Sequence, residues 1–293
     1  MNDKETNIII SRIEQWYSRL QTMFVEDRQS LHAEYSWSKD PVPFANRLDK
    51  KYKSITKDKS WGKEWDSAWF RLTGKRKKEW KGKTIVADLD FSGEGLVYDP
   101  NGNEIQGITN ASIWDQNFVR TRVIIPKTCY KNDDVELWVE TAANSLFGIY
   151  VDTDPDQDNP KRHGTFDAKV VTIDIGVFRK DIWDLYLDAR ILIGLVKRLD
   201  KKSVRRSRII DTMNNAVVAF KDDKKDAKTS RKILSKELVK KATTSDLRAA
   251  AVGHAHIDTG WLWPVKETIR KCARTFATQL DLIDRYPDYI FGA

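Results

Sequence analysis

The spacing of apolar residues changes along the chain, and this change limits the folds that the sequence can adopt. From about Trp61 to Phe178, short runs rich in Val, Ile, Phe and Trp are separated by turn signals, and several alternate with period two. From Asp181 to about Ala242, apolar residues recur at steps of three and four, as on one face of an α-helix. This order predicts an all-β sandwich followed by a helical segment.

Six runs are predicted strands of the sandwich: Ser67–Leu72, Thr84–Phe91, Phe118–Ile125, Val135–Ala142, Phe147–Asp152 and Ala168–Phe178. Before them, a helix is predicted over Ile8–Phe24, and a polar connecting stretch with Pro41 and Pro43 follows it. After them, the apolar stripes of two predicted helices are Trp183, Leu187, Ile191, Leu195 and Leu199, widened by Leu192 and Val196, and then Ile209, Met213, Val217 and Phe220. A third, shorter helix is predicted over Ile233–Lys241.

The composition is typical of a globular chain without a membrane span. Hydrophobic residues make up 40% and charged residues 32% of the sequence, and no run of eighteen apolar residues occurs. The N-terminal segment is charged, and its apolar run Ile8–Ile10 is too short for the core of a signal peptide. We therefore expect a cytoplasmic protein with no membrane partner. Cys129 and Cys272 fall in different predicted domains, so we expect no disulfide framework.

One segment carries the excess positive charge. Between Lys197 and Lys241 there are sixteen Lys and Arg residues against six Asp and Glu residues, whereas the net charge of the whole chain is +8. Such a segment can attract nucleic acid or an acidic partner. Because aromatic residues are not interleaved with these charges as base stacking requires, we interpret it as the solvated surface of helices. Nucleic-acid binding is the weaker alternative.

The stretch richest in reactive side chains is GHAHIDTGWLWP, at Gly253–Pro264. An apolar strand is predicted before it at Ala249–Val252, and Pro264 occupies the expected first position of a helix. The apolar stripe of that helix comprises Ile269, Cys272, Phe276, Leu280 and Ile283. The run YIFGA then begins another predicted strand, so the order is that of the beginning of a βαβ unit.

Three potential metal ligands alternate within this stretch. In an extended segment, His254, His256 and Asp258 point to the same side. Two imidazoles and a carboxylate at the end of a buried strand suit zinc or a similar divalent ion, and sites in α/β folds are built at such strand ends. Trp261 and Trp263 follow, and an indole face beside a metal suits the C–H face of a sugar ring.

The segment GHAHIDTGWLWPVKETIRKCARTFATQLDLIDRYPDYIF closely resembles the start of the catalytic domain of α-mannosidases in glycoside hydrolase family 38, of the cytosolic or vacuolar type. Upstream, SLFGIYVD, GVFRKDIWDLYLDARILIGLVKRL and RRSRIIDTMNNAVVAF are similar to the part of that family that precedes its catalytic barrel. The resemblance extends from about Trp61 to the end of the sequence.

The expected fold class is multidomain α+β, with an N-terminal all-β sandwich, a helical bridge and the first strand–helix unit of a barrel-type α/β catalytic domain. The expected domains are residues 1–60 for the N-terminal helix and connecting segment, 61–180 for the β-sandwich, 181–246 for the helical bridge and 247–293 for a truncated catalytic domain.

The resemblance implies a zinc-dependent, retaining enzyme that hydrolyses terminal α-linked mannose from glycans. In the family, the second His and the Asp of His-x-His-x-Asp bind the zinc, and these are His256 and Asp258 here. The first His, here His254, lies beside the site and is not a ligand. The Trp of the Asp-x-Gly-Trp run, here Trp261, lies under the bound mannose. A retaining reaction uses a carboxylate nucleophile and a second carboxylic acid that protonates the leaving oxygen.

The chain departs from the family after this motif. The family's nucleophile is an Asp that also binds zinc, and the fourth ligand is another His, but residues 259–293 contain no His. Asp281, Asp284 and Asp288 belong to the predicted helix and its C-terminal turn, so none is assigned as nucleophile. We therefore expect a fragment without a catalytic residue, inactive alone, whose last helix exposes its apolar stripe. A missing remainder of the catalytic domain, or a partner chain, would cover that stripe.

One alternative from a different functional class stays open. The tryptophan-rich sandwich would then be a non-catalytic carbohydrate-binding or scaffolding module, with no chemistry of its own. A downstream reading frame that supplies the missing Asp and His would favour the enzyme.

Overall fold

The computed structural model describes residues 3–109, 119–144, 166–220, 226–240, 250–260 and 263–292. The chain divides into two compact units, each assembled from two separate stretches. The helical unit combines Met1–Asp27 with Val177–Arg248, and the sandwich unit combines Arg28–Gly176 with Ala249–Ala293. Within the described ranges, no helix has both the length and the apolar character that are needed to cross a membrane.

The described helices of the helical unit are α1 (Asp3–Gln21), α2 (Lys180–Arg198), α3 (Val204–Phe220) and α4 (Ala227–Leu238). Apolar side chains of α1 and α3 meet in its core, where the rings of Trp16 and Phe220 pack edge to face with centroids 6.0 Å apart. The helical periodicity is thus confirmed. Two boundaries differ from the prediction, since α1 ends before Phe24 and α4 begins well before Ile233.

The buried face of α2 differs from the predicted stripe. Its buried residues are Ile182, Leu185, Tyr186, Ala189, Leu192 and Val196. Ile191, at the centre of the predicted stripe, is 57% exposed. Two neighbouring faces of this helix satisfy the three- and four-residue steps, and contacts with the other helices of the unit select the face that carries Leu192 and Val196.

The sandwich is built from two sheets, and its strands are β1 (Val25–Ser30), β2 (His32–Ser38), β3 (Lys53–Ile55), β4 (Ser60–Lys63), β5 (Ser67–Lys75), β6 (Ile85–Asp90), β7 (Glu94–Tyr98), β8 (Glu104–Ile108), β9 (Arg122–Ile124), β10 (Tyr130–Lys131), β11 (Asp134–Ala142), β12 (Asp167–Lys169) and β13 (Thr172–Phe178). One sheet has the order β1-β13-β6-β9, and the other has β3-β2-β5-β11-β7-β8 with β10 beside β11. β12 pairs separately with β4. Phe70 of β5 and Phe91, directly after β6, pack with ring centroids 4.4 Å apart and join the two sheets.

Described strands coincide with the runs predicted at 67–72, 84–91, 135–142 and 168–178. The last of these runs is divided between β12 and β13. In the predicted run 118–125, β9 accounts for Arg122–Ile124, and the predicted strand Phe147–Asp152 lies outside the described residues. The β5–β11 pair is antiparallel and extends from Lys75 opposite Asp134 to Ser67 opposite Ala142.

The prediction of a polar connecting stretch without regular structure before Trp61 is wrong, because this part of the chain contains β1, β2 and β3. β2 buries Ala33 and Tyr35 at alternate positions and pairs with β5. β1 has mostly exposed or half-buried side chains, so its sequence VEDRQS shows no apolar period. Pro41 and Pro43 lie after β2 and do not interrupt it.

The C-terminal stretch of the sandwich unit forms β14 (Gly253–His254), α5 (Val265–Arg285) and β15 (Phe291–Gly292). β14 and β15 pair in parallel, so the predicted strand–helix–strand unit is observed. The first strand is displaced from the prediction, since residues 250–252 form no strand. Pairing with β15 is what defines β14, and it places Gly253 opposite Phe291 and His254 opposite Gly292.

Helix α5 turns its apolar stripe outward. Four residues of the stripe are between 42% and 69% exposed, namely Ile269, Phe276, Leu280 and Ile283. The buried side carries Glu267, Thr268, Arg270, Arg274, Ala277 and Thr278. This side lies on β7 and β8 of the sandwich, where the backbone N–H of Gly107 donates to Thr278 Oγ1 at 3.0 Å. The polar face of an amphipathic helix is therefore the buried one.

Ion pairs attach this polar face to the sandwich. Glu267, which is 1% exposed, accepts hydrogen bonds from Arg274 at 2.5 Å and from Arg270 at 3.2 Å. Arg270 also pairs with Glu140 of β11, and Arg274 pairs with Glu94 of β7 at 3.3 Å. Each of these charges is paired because a buried ion without a partner carries a large desolvation penalty.

Replacing Glu267 with Gln tests the importance of this network for stability. Glu267→Gln leaves two buried guanidinium groups without their shared carboxylate, so we expect the free energy of unfolding in urea to fall by about 3 kcal/mol. Asp284→Asn, on the exposed side of the same helix, is the matched control and is expected to change it by less than about 0.5 kcal/mol. Equal, small losses for both variants would show that the network does not anchor α5.

The network also makes stability depend on pH through Glu94. Burial raises the pKa of Glu94, but the charges of Arg274 and Lys271 and hydrogen bonds from Lys271 and Asn144 lower it more, so the pKa lies below its ordinary value of 4.5. The unfolded chain lacks these partners and binds a proton more readily. The stability that Glu94 contributes is therefore complete above about pH 4.5 and is lost as the pH falls through the lowered pKa.

Glu94→Gln removes this titration. We expect the variant to be less stable than the unmodified chain at pH 7, and the difference in unfolding free energy to shrink as the pH is lowered from 5 toward 3. Urea denaturation at a series of pH values measures both curves. Curves that stay parallel across this range would contradict the assignment.

Candidate metal and sugar site

His254 lies in β14 of the sandwich unit, and His256 and Asp258 lie in the segment between β14 and α5. Residues 255–258 have no regular secondary structure, and Gly260, with φ of 74°, turns the chain toward the helix. A positive φ of this size suits glycine because it has no Cβ. Trp261, the residue expected under the sugar, lies outside the described residues.

The structure brings His256 and Asp258 together. Nε2 of His256 lies 3.1 Å from Oδ1 of Asp258, and the side chains are 78% and 39% exposed. A carboxylate only accepts, so in this hydrogen bond the ring N–H donates. An imidazole nitrogen and a carboxylate oxygen are both zinc ligands, and here the two atoms lie side by side in a place that solvent can reach.

His254 has a different partner. Its Nδ1 lies 3.1 Å from the carbonyl oxygen of Gly292 in β15, so the ring donates this proton to the backbone. Of the three alternating residues that the sequence places on one side, two are therefore joined directly, and His254 links the paired strands. The position beside the site that the resemblance implies for His254 stays a prediction.

The donor set fits part of a zinc site. A catalytic zinc usually has three protein ligands and one open position. Within the ranges that the structure describes, no cluster of three or more His, Cys, Asp or Glu side chains is placed to hold a metal ion. His256 and Asp258 thus fit the chemistry of two ligands, and a complete site needs further ligands.

The second tryptophan of the motif is part of the packing. Trp263 is only 8% exposed, and Lys271 Nζ lies 4.8 Å from its ring centroid. Trp263 Nε1 donates to Thr268 Oγ1 at 3.0 Å. Its indole is therefore closed to a sugar. The spacing of the motif did not separate the two tryptophans, and only the resemblance assigned Trp261 to the sugar.

The polar residues of α5 that lie next to the site segment were not among the predicted site residues. Thr268 bonds to the segment, and the charged residues Glu267, Arg270 and Arg274 hold the helix below it. A signal was present, since these charges recur at three- and four-residue steps on one face. It was obscured because the apolar stripe on the opposite side has the same period.

Two family models match the chain in the order of its structure. Residues 28–171 match the jelly roll domain of alpha-mannosidase, and residues 246–293 match the N-terminal domain of family 38 glycosyl hydrolases. The first matched stretch contains most strands of the described sandwich, and the second contains β14, α5 and β15. The resemblance to the α-mannosidases of glycoside hydrolase family 38 is thereby confirmed.

Individual relatives show the same pattern. Human alpha-mannosidase 2C1 is 28% identical over 86% of this chain and 23% of its own length. Alpha-mannosidase G of Dictyostelium discoideum is 28% identical over 98% of this chain and 27% of its own, and alpha-mannosidase of Saccharomyces cerevisiae is 27% identical over 79% and 22%. The chain thus spans about a quarter of the length of these relatives. Among solved structures, Bacteroides uniformis beta-glucuronidase 2 aligns with 51% of this chain and 17% of its own at 15% identity and a TM-score of 0.35.

Proposed function

We propose that the chain is the N-terminal part of a zinc-dependent, retaining α-mannosidase that removes terminal α-linked mannose from glycans or oligosaccharides. The observation that carries this proposal is the approach of His256 Nε2 to Asp258 Oδ1 within the segment that matches family 38. The relatives named above as alpha-mannosidases support the same substrate class. We also propose a cytoplasmic localisation, which rests on the resemblance to the cytosolic or vacuolar type of the family.

His256 and Asp258 would hold the zinc through Nε2 and Oδ1, the two atoms that already face each other. When bound, zinc supplies a Lewis acid that orients and polarises sugar oxygens. His254 would lie beside the sugar, with its Nδ1 proton engaged by Gly292 and its Nε2 left as a hydrogen-bond acceptor. Trp261 would lie under the mannose ring, as the Asp-x-Gly-Trp run suggests.

We further propose that β14, α5 and β15 begin a barrel-type α/β catalytic domain. Parallel strands with a helical crossover are the repeating unit of such barrels, and they require cover on both faces. The outward stripe of Ile269, Phe276, Leu280 and Ile283 is the surface that the rest of the domain would cover. The greater length of the relatives supports this assignment.

The alternative of a carbohydrate-binding sandwich has less support. Four tryptophans of the sandwich are at most 3% exposed, namely Trp61, Trp69, Trp80 and Trp138, whereas Trp37 of β2 is 46% exposed and is a single indole rather than a cluster. A sugar-binding platform needs exposed indole faces. Nucleic-acid binding by the basic helices is also weakened, because Arg231 pairs with Asp184 and Asp188 within the helical unit.

Zinc titration of the 293-residue chain tests the metal half-site. With isotope-labelled histidine, we expect Zn²⁺ to shift the imidazole NMR signals of His256 with weak, saturable affinity, since two ligands bind less firmly than a filled set. Asp258→Asn should abolish the saturable response of the His256 signals. His254→Ala should retain it, because His254 is not a ligand in the proposed site. An unchanged response in Asp258→Asn would refute the ligand assignment.

Activity of the same chain tests the distribution of catalytic residues. We expect no release of chromophore from an aryl α-mannoside above the rate without protein, even with excess zinc. The reason is that no carboxylate of the chain is assigned as nucleophile, and the rate depends on holding that group at the anomeric carbon. The alpha-mannosidase of Saccharomyces cerevisiae serves as positive control. If the chain shows turnover and His256→Ala abolishes it, the 293 residues suffice for catalysis.

A further inference from the structure

The hydroxyl of Thr268 makes three hydrogen bonds to the segment that carries the half-site. Its Oγ1 accepts from the backbone N–H of Gly260 at 2.9 Å and from Trp263 Nε1 at 3.0 Å. It donates to the carbonyl oxygen of Asp258 at 3.2 Å. Thr268 is 8% exposed and lies in the first turn of α5, so these bonds are largely shielded from water.

These contacts use the full hydrogen-bonding capacity of a hydroxyl. A threonine hydroxyl has one proton to donate and two lone pairs that accept, and all three are engaged here. Buried donors that lose their acceptor are costly, so the segment has one strongly preferred arrangement around this oxygen. An aliphatic side chain of the same shape cannot hold the segment in this arrangement.

The positions of the three partners connect Thr268 to the proposed function. The carbonyl of Asp258 belongs to the residue whose carboxylate faces His256. Gly260 lies two residues beyond Asp258, and Trp263 lies directly before the helix, so one oxygen contacts the segment at two backbone groups and one side chain. The helix that carries Thr268 is in turn anchored by its buried ion pairs.

We propose that Thr268 is a positioning residue, whose hydroxyl holds the backbone of Asp258 and Gly260 so that His256 and Asp258 bind a divalent cation. This inference rests on the proposed function, because it takes the two side chains as the metal ligands. Partners that orient metal ligands influence metal affinity even when they do not touch the ion.

Thr278 provides a matched control on the same helix. It is 6% exposed, and its Oγ1 also accepts a backbone N–H, from Gly107 of β8 at 3.0 Å. Thr278→Val therefore removes a buried hydroxyl from α5 without removing a contact to the half-site. Thr268→Val removes the hydroxyl at the half-site and keeps the side-chain shape, whereas Thr268→Ser keeps the hydroxyl.

The test uses the 293-residue chain with Zn²⁺ as the probe, the His256 imidazole signals for Kd, and hydrogen exchange of the Gly260 amide as a second measurement. We expect Thr268→Val to raise Kd about tenfold and to accelerate Gly260 exchange. Thr268→Ser should restore both values. Thr278→Val should leave both unchanged, even where it lowers the melting temperature. Thr268→Ala replaces the valine variant if the latter does not fold.

The outcomes separate the inference from the proposed function. If Asp258→Asn abolishes zinc binding but a folded Thr268→Val variant retains full affinity, the positioning role is overturned and the proposed half-site remains. An equal rise in Kd for Thr278→Val, or failure of both Thr268→Val and Thr268→Ala to fold, would show a general structural role instead. Absence of any zinc response in the unmodified chain would overturn the proposed half-site, and the inference with it.

Discussion

The ion pairs beneath α5 are the interaction on which the arrangement of the sandwich unit depends. Transfer of carboxylates and guanidinium groups out of water is unfavourable unless geometry and hydrogen bonds offset it. Here Glu267 lies between two arginines, and each arginine reaches a second carboxylate on a strand. Such pairing is directional, so it fixes the rotation and the register of the helix more narrowly than apolar contact would.

That rotation determines what the rest of the helix can do. With its charged face on β7 and β8, α5 directs its apolar stripe away from the sandwich. The first turn then faces the segment after β14, where Thr268 meets Asp258 and Gly260. The approach of His256 to Asp258 thus depends on a helix that is itself held by charged residues in its first three turns.

The sequence predicted those parts of the fold in which apolar residues follow one dominant period. β5, β6 and β11 are examples, and the spacing of His256 and Asp258 marked the two side chains that lie together. β1 was missed because its side chains are mostly exposed, and the buried face of α2 was displaced because two faces share one period. In α5, the partners that decide which face is buried come from β7 and β11, distant in sequence, and no local pattern reports them.

The two faces of α5 also suggest why a sandwich precedes a catalytic domain in such a chain. A helix with apolar residues on both faces could pack against its neighbours in many orientations, because hydrophobic attraction is non-directional. Charge pairing on one side leaves a single surface, Ile269 to Ile283, available to the structure that we propose covers it. In the proposed catalytic domain, the sandwich would orient this first helix, and the proposed half-site beside its first turn would be positioned through the same contact.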